Sequence, residues 1–445
     1  MSVIADAPRP VPAAAAGRPA WAWVPSLYFA QGLPYAMVMM LSVVFYKRMD
    51  VSNTELALYT SWLYLPWVIK PLWSPLVELL ACKRQWIVAM QVAVGSSLAL
   101  VALAVPLPGF FQWTLAVFWL MAFASATHDI AADGFYMLAL PASAQAAWVG
   151  VRSACWRLAV IAAQGGLVML AGALEQRLGQ VQTAWALVFG VSGGLFVLLA
   201  LLHARLLPRP AADRADPVPA RGAALAGSAR AFAAVFGEFF RRPGLAHVLS
   251  FLLLYRLAEA QLLKLATPFL LDSAAQGGLG LSTQQVGLVY GGIGVACLTA
   301  GGLLGGWVIA QHGLQRWLWP MLLAMHLPNL LFVALAAAGP SPLPWVAAAV
   351  ALEQFGYGFG FSAYLVYMLW VAAGPTGDNP HRTAHYALCT GWMALGMMLP
   401  GMWSGWLQAQ LGYFGFFAAV CLSALPSFVV VARTRLDPAF GRRAA

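Results

Sequence analysis

Charge is what this chain has least of. Asp, Glu, Lys and Arg make up 9% of its 445 residues and hydrophobic types 62%, whereas charged residues are roughly a quarter of an ordinary soluble domain. A water-soluble globular protein is excluded, and a lipid bilayer is the solvent that fits. Cysteine is scarce as well. Cys82, Cys155, Cys297, Cys389 and Cys421 stand singly on or beside apolar runs, without CxxC spacing for a metal or a paired framework for disulfides, and read as small packing residues. A cleavable leader is also missing from the pattern. The opening MSVIADAPRPVPAAAAGRPA is rich in Pro and Ala, and the apolar run behind it continues with no small-residue cleavage site, which predicts a disordered tail. The net charge of +10 gathers in particular loops rather than in a patch with interleaved aromatics, so nucleic acid is not an expected partner.

What is present is a series of apolar runs of membrane length. About twenty residues cross the hydrocarbon core, and twelve runs qualify, at 22–46, 54–80, 86–106, 113–138, 145–172, 183–204, 245–271, 285–309, 317–338, 344–371, 382–408 and 413–432. These predict an all-α membrane protein of twelve transmembrane helices in two pseudo-symmetric six-helix bundles. The bundles are expected over 22–204 and 245–432, with tails over 1–21 and 433–445. The connection 205–244 begins with Pro208, Pro210, Pro217 and Pro219 and ends in AFAAVFGEFFRR, whose spacing predicts an amphipathic helix. An even number of spans puts both ends on one side. Seventeen Lys and Arg fall in the loops and tails of that side, and only Lys47, Arg48 and Arg177 on the other, so both termini are expected in the cytoplasm.

Five basic residues remain inside spans, namely Lys70, Arg152, Arg157, Arg256 and Lys264, and five acidic residues lie within or at the edge of spans, namely Glu78, Asp129, Asp133, Glu259 and Glu353. A charge at the bilayer centre costs at least about 2.5–3.5 kcal/mol on insertion scales, so such groups face a bundle interior or a wet path. Balanced numbers of opposite sign suit solute passage better than a sealed scaffold. The densest stretch is Ala124 to Gln164. From the 1.5 Å helical rise, Asp129 and Arg157 both lie roughly 16–18 Å from the cytoplasmic ends of their spans, and Asp133 and Arg152 roughly 10 Å. Two stacked ionic layers are expected, the deeper for a proton or solute and the shallower for a cytoplasmic gate. The competing reading is a structural ion pair that locks two helices. His128 points to another side of its helix and reads as a helix contact. Nothing supplies further metal ligands around His128, Asp129 and Asp133, so neither a metal nor a cofactor is expected.

Other spans add polar groups and breaks. Pro66, Pro71 and Pro75 bend the second, where Lys70 sits in the flexible region and Glu78 adjoins Lys83 and Arg84 as further gating candidates. The first contains YFAQGLPYAMV, with Gln31 and Tyr35 available to a polar ligand. The seventh carries Arg256, Glu259, Gln261 and Lys264; Arg256 and Glu259 are spaced to pair along one helix face. The tenth places Glu353 and Gln354 before Gly356, Gly358 and Gly360, which alternate with aromatics and read as close helix contacts. Corresponding spans of the two halves carry the breaks, as expected when a site lies between related bundles. The expected solute ligands are Gln31, Tyr35, Lys70, Arg157, Gln164, Arg256, Lys264 and Gln354, and the expected proton carriers Asp129, Glu259 and Glu353. A membrane-embedded transferase is the rival class, but it would want a sizeable polar domain and a nucleophile or metal set, and the sequence displays neither.

Six plus six spans with a basic central loop resemble the major facilitator superfamily. Gly32-Leu33-Pro34, the run from Lys70 to Leu76 and the run from Ala126 to Asp133 resemble AmpG-type muropeptide permeases, as do Leu254 to Ala260, Glu353-Gln354 and Thr383 to Leu388. The resemblance implies a proton-driven importer of anhydro-muramyl peptides in a bacterial inner membrane. A twelve-span bundle can enclose its own path, so a monomer is expected. The wider branch also includes siderophore and acetyl-coenzyme A transporters, which keeps another anionic solute in view.

Overall fold

The computed structural model describes residues 19–211, 213, 233–374, 379, 381–437 and 440–442. All but the last three residues of the expected tail over 1–21, and half of the 205–244 connection, therefore fall outside the described residues. All regular structure among those described is helical. Among the described residues nine stretches are long and apolar enough to cross a membrane. The last, Ala384–Arg433, holds two crossings, because Gly412 interrupts it with φ 65° and ψ 177°, a backbone state open to glycine. Two more spans are broken midway and so fall short as single helices, which brings the crossings to twelve.

In chain order these are α1 (Ala20–Arg48), α2 (Asn53–Trp62 and Leu65–Leu80), α3 (Lys83–Ala104), α4 (Phe110–Ala139) and α5 (Ala142–Ile161, continuing into Val168–Leu178). Then follow α6 (Val181–Leu206), α7 (Leu245–Leu254 and Leu257–Leu271), α8 (Thr283–His312), α9 (Leu314–Ala338) and α10 (Leu343–Ala373). The chain closes with α11 (382–411) and α12 (413–433). Residues 233–240 of the central connection are also helical. In the first bundle α3 packs on α4 and α6, and α1 on α5; in the second α10 packs on α8 and α9. The bundles meet where α2 crosses α11 and where α5 crosses α8.

The breaks fall where the backbone loses donors or finds other partners. The step in α2, at Leu63 and Tyr64, precedes Pro66. The step in α7, expected as one helix over 245–271, has no proline or glycine to announce it. It falls at Tyr255 and Arg256, and the Tyr255 carbonyl it frees is hydrogen-bonded to His326 of α9 at 3.2 Å. Wide helical turns at Ala162–Leu167 of α5 and Gly287–Gly294 of α8 lie against each other. A side chain at Gly291 would collide with the Gln164 carbonyl, so glycine is what lets the two bundles touch there.

Burial follows the solvent. The second half of α7 is enclosed on nearly every side, from Ala258 to Leu271, and its polar members Glu259, Gln261 and Lys264 are buried with it. Peripheral helices instead expose Leu100, Leu103, Val191, Leu198 and Leu201, as faces turned to a lipid solvent require. Glycines of α10 serve close packing: Cβ atoms at Gly356 and Gly358 would strike the backbone of α9 and α8.

Candidate solute cavity

A cavity of about 1210 Å³ lies between the bundles. It extends from Met39 and Lys264 near mid-membrane toward the face that carries the chain ends, where Val235 and Phe236 of the connecting helix and Tyr386 of α11 line it. α1, α2, α4 and α5 build one wall and α7, α8, α10 and α11 the other. Among the expected solute ligands Gln31, Tyr35, Lys70, Arg157, Gln164, Arg256, Lys264 and Gln354 all line it, and so do Asp129, Asp133 and Arg152.

The first wall carries the ionic layers, one of them with a partner other than expected. The shallow layer is as read from the sequence: Arg152 Nη2 donates to Asp133 Oδ1 at 2.8 Å, and its guanidinium lies 4.5 Å from the ring centre of Tyr28, which itself donates to Asp133 at 3.3 Å. The deep layer is corrected. Asp129 is ion-paired with Lys70 of α2 and accepts from Gln31 of α1, while Arg157 reaches the opposite wall and donates to Thr299 Oγ1 at 3.4 Å. Equal depth brought Asp129 and Arg157 to one level but said nothing about which way each helix faces. Tyr35, edge-on to Trp67 at 5.3 Å and tilted against Trp156 at 5.7 Å, adds an aromatic surface.

The second wall is positive. Arg256 donates to the Tyr357 hydroxyl and lies 4.4 Å from the Phe361 ring centre. It forms no salt bridge with Glu259, so the pairing along one helix face is not made. Lys264, 6% exposed, donates to Thr60 Oγ1 at 3.0 Å. Among the described residues Arg157, Arg256 and Lys264 thus line one cavity with hydroxyl partners and no salt bridge to a carboxylate. Glu259 and Glu353 stand outside the cavity lining, fully buried.

Of the other gate candidates, Lys83 and Arg84 open α3. The Glu78 side chain lies outside the described residues. Lys83 and Arg84 give their backbone N–H groups to Asp213 at 2.7 and 3.0 Å, and Arg84 also bonds to carbonyls at the end of α6. They tie one bundle to the start of the connecting segment and span no gap between bundles. Asp133 and Arg152 likewise belong to a single bundle. His128 is buried against Gln91 at 3.0 Å, the helix-contact reading.

The far face is where the bundles are latched, and apart from Lys47 and Arg48 the residues that do it were not singled out from the sequence. Lys47 at the end of α1 is 2.6 Å from Asp272 at the end of α7. Tyr413 donates to Asp272 at 2.5 Å, and Asn53 donates to Gln408 at 3.0 Å. A second strap runs from Arg48 to Glu175 at 3.2 Å and on to Thr283 of α8, whose hydroxyl donates to Glu175 at 2.7 Å. Lys47 and Arg48 read as topology markers in the sequence. Their partners lie more than a hundred residues away, at span ends where a lone acid is unremarkable. The cavity is thus closed on the far face and reaches the terminal face, the arrangement of a carrier caught at one end of its cycle.

The profile of the Major Facilitator Superfamily matches residues 26–378. The chain belongs to that superfamily. The anhydromuropeptide permease of Escherichia coli (strain K12) is 25% identical over 413 residues, covering 91% of this chain and 77% of the relative. An uncharacterized protein of Haemophilus influenzae is 26% identical over 411 residues, 90% of this chain and 91% of its own. Among solved structures, a POT family transporter in complex with 5-aminolevulinic acid superposes with a TM-score of 0.65 over 92% of this chain and 94% of its own, at 9% identity. The nucleoside transporter NupG gives 0.61 over 92% and 97%, at 15% identity. Those structural likenesses carry the fold, two six-helix bundles. Membership of the Major Facilitator Superfamily makes the chain a secondary transporter and not an enzyme.

Proposed function

We propose that this superfamily member imports anhydro-muramyl peptides across a bacterial inner membrane, driven by protons and by alternating access, with both chain ends in the cytoplasm. The observation that carries the reading is the cavity in which Arg157, Arg256 and Lys264 make no salt bridge to a carboxylate among the described residues. A cation drawn into lipid is costly, and three of them around one space suit a solute that brings several carboxylates. The aromatic surface of Tyr35, Trp67 and Trp156 suits the apolar face of a sugar ring. The volume exceeds the roughly 300–1,000 Å³ of drug-sized pockets, in keeping with a solute of sugar plus peptide. The similarity to the Escherichia coli anhydromuropeptide permease supports the same class.

In this reading the far face is the periplasmic one, and the latch around Asp272 opens when the cavity opens outward. The Lys70–Asp129 and Arg152–Asp133 pairs keep two of the five cavity cations neutralised when the site is empty, which leaves the other three for solute. Asp129, Glu259 and Glu353 are the proton carriers. A panel of uptake assays in reconstituted vesicles tests the substrate class: anhydro-muropeptides are expected to be taken up, with plain peptides and siderophores excluded and Asp129→Asn impaired. Uptake of a siderophore or of acetyl-coenzyme A in preference to the muropeptide would replace the solute while leaving the carrier in place.

A further inference from the structure

Behind the cavity wall lies a polar group that the solute site does not use. Glu259 of α7 and Glu353 of α10 sit side by side with no exposed surface, beside Asn329 of α9 and the Tyr290 hydroxyl of α8. Glu353 Oε2 accepts from the Gln354 amide at 3.0 Å. The other three carboxyl oxygens, both polar atoms of the Asn329 amide and the Tyr290 hydroxyl are buried and close no hydrogen bond of good geometry. Tyr290 and Gln354 line the cavity and neither glutamate does, so the pair sits one layer behind it. The ionisable groups facing it from the surrounding helices are Arg256, one turn earlier on α7, and the tyrosines Tyr290 and Tyr357.

Two carboxylates packed together away from water do not both stay ionised, because each charge disfavours the other and burial disfavours both. With Arg256 as the cation at hand, the group sums to minus one when both glutamates are ionised and to zero when they hold a single proton. We propose that Glu259 and Glu353 share one proton in the empty carrier and form its coupling site, with Arg256 as the link to the solute. Arg256 touches both compartments, since it lines the cavity and lies one turn from Glu259. When an anionic group of the solute docks on Arg256, the sum returns to minus one. A second proton, drawn from the side to which the cavity is open, restores neutrality. Each glutamate is then a neutral carboxylic acid, and on the other side loss of the solute expels that proton. Linkage is reciprocal, so solute binding tightens proton binding by the factor by which the proton tightens solute binding.

This inference rests on the carrier reading, and its test separates the two. Infrared difference spectra of the purified full-length protein, without solute, are expected to show a protonated-carboxyl band near neutral pH that disappears in Glu259→Gln and in Glu353→Gln. Persistence of the band in both variants overturns the shared proton. In proteoliposomes with radiolabelled anhydro-muramyl tripeptide, both variants are expected to retain solute counterflow while accumulation under a pH gradient falls to the level seen without one. Variants that still accumulate solute under a pH gradient, or a wild type driven by a sodium gradient in place of protons, overturn the coupling role. Should either glutamine variant fail to fold, Asn329→Leu is expected to shift the pH at which the band titrates, and an unmoved titration counts against the site. If wild-type protein moves no anhydro-muropeptide, the solute assignment fails while the infrared result still decides the pair.

Discussion

At the scale of the residue, the cavity cations differ in what they already hold, and that sets what each substitution costs. Arg157 makes one long hydrogen bond to Thr299. Arg157→Ala is therefore expected to leave thermal stability unchanged while weakening solute binding by about 10- to 100-fold, the equivalent of one lost hydrogen bond to a charged group at roughly 1.5–3 kcal/mol. Titration calorimetry with an anhydro-muropeptide checks this, and an unchanged affinity removes Arg157 from the site. Lys70 and Asp129 already hold each other. Breaking one partner strands the other, so Lys70→Met and Asp129→Asn are expected to be non-additive, with a coupling of about 0.5–3 kcal/mol in a double-mutant cycle. Additive losses of stability would mean that the two do not interact. Most of these residues were legible in the sequence because ionised groups in lipid advertise themselves. Their partners were not. Asp129 and Arg157 share a depth, but partner choice depends on helix rotation, which depth leaves open.

At the scale of the element, two crossings decide how the bundles move. α5 and α8 meet backbone to backbone at Gly291, where an added methyl meets the Gln164 carbonyl. Gly291→Ala is expected to destabilise this conformation by about 1–3 kcal/mol, the usual cost of overpacking, and to lower the thermal midpoint measured in detergent. An unchanged midpoint would show that the crossing is not held so tightly. The far-face latch predicts a change of access instead of a loss of fold. In a background without native cysteines, a reporter at Met40→Cys, which lines the cavity, is expected to react faster with an impermeant maleimide from the far face once Asp272→Asn removes the Lys47 ion pair. Equal rates would mean that the ion pair does not hold the face shut. Element placement was legible from hydropathy to within a few residues, since crossing length is fixed by the bilayer. The step at Tyr255 was not, because it depends on His326 of another helix capturing the carbonyl. The latch was not either, because each of its members is ordinary for a span end when seen alone.

At the scale of the whole molecule, the architecture follows from a chain that must satisfy its backbone internally and carry ten ionisable groups within or at the edge of its spans. Helices meet the first demand, and a cavity shared by two bundles meets most of the second. Six plus six spans, the break after the sixth and the resemblance to muropeptide permeases were all readable from apolar runs and short motifs such as Ala126 to Asp133. The division of labour among the carboxylates was not, since it takes the fold to show Asp129 and Asp133 on the cavity wall and Glu259 and Glu353 sealed behind it. The measurement that bears most directly on the carrier reading is the level of labelled anhydro-muramyl tripeptide inside proteoliposomes holding the wild-type protein, with an imposed inward proton gradient and with the gradient collapsed. Concentration above the external level, abolished on collapse, is the predicted result. An internal level that never exceeds the external one under either condition would contradict it.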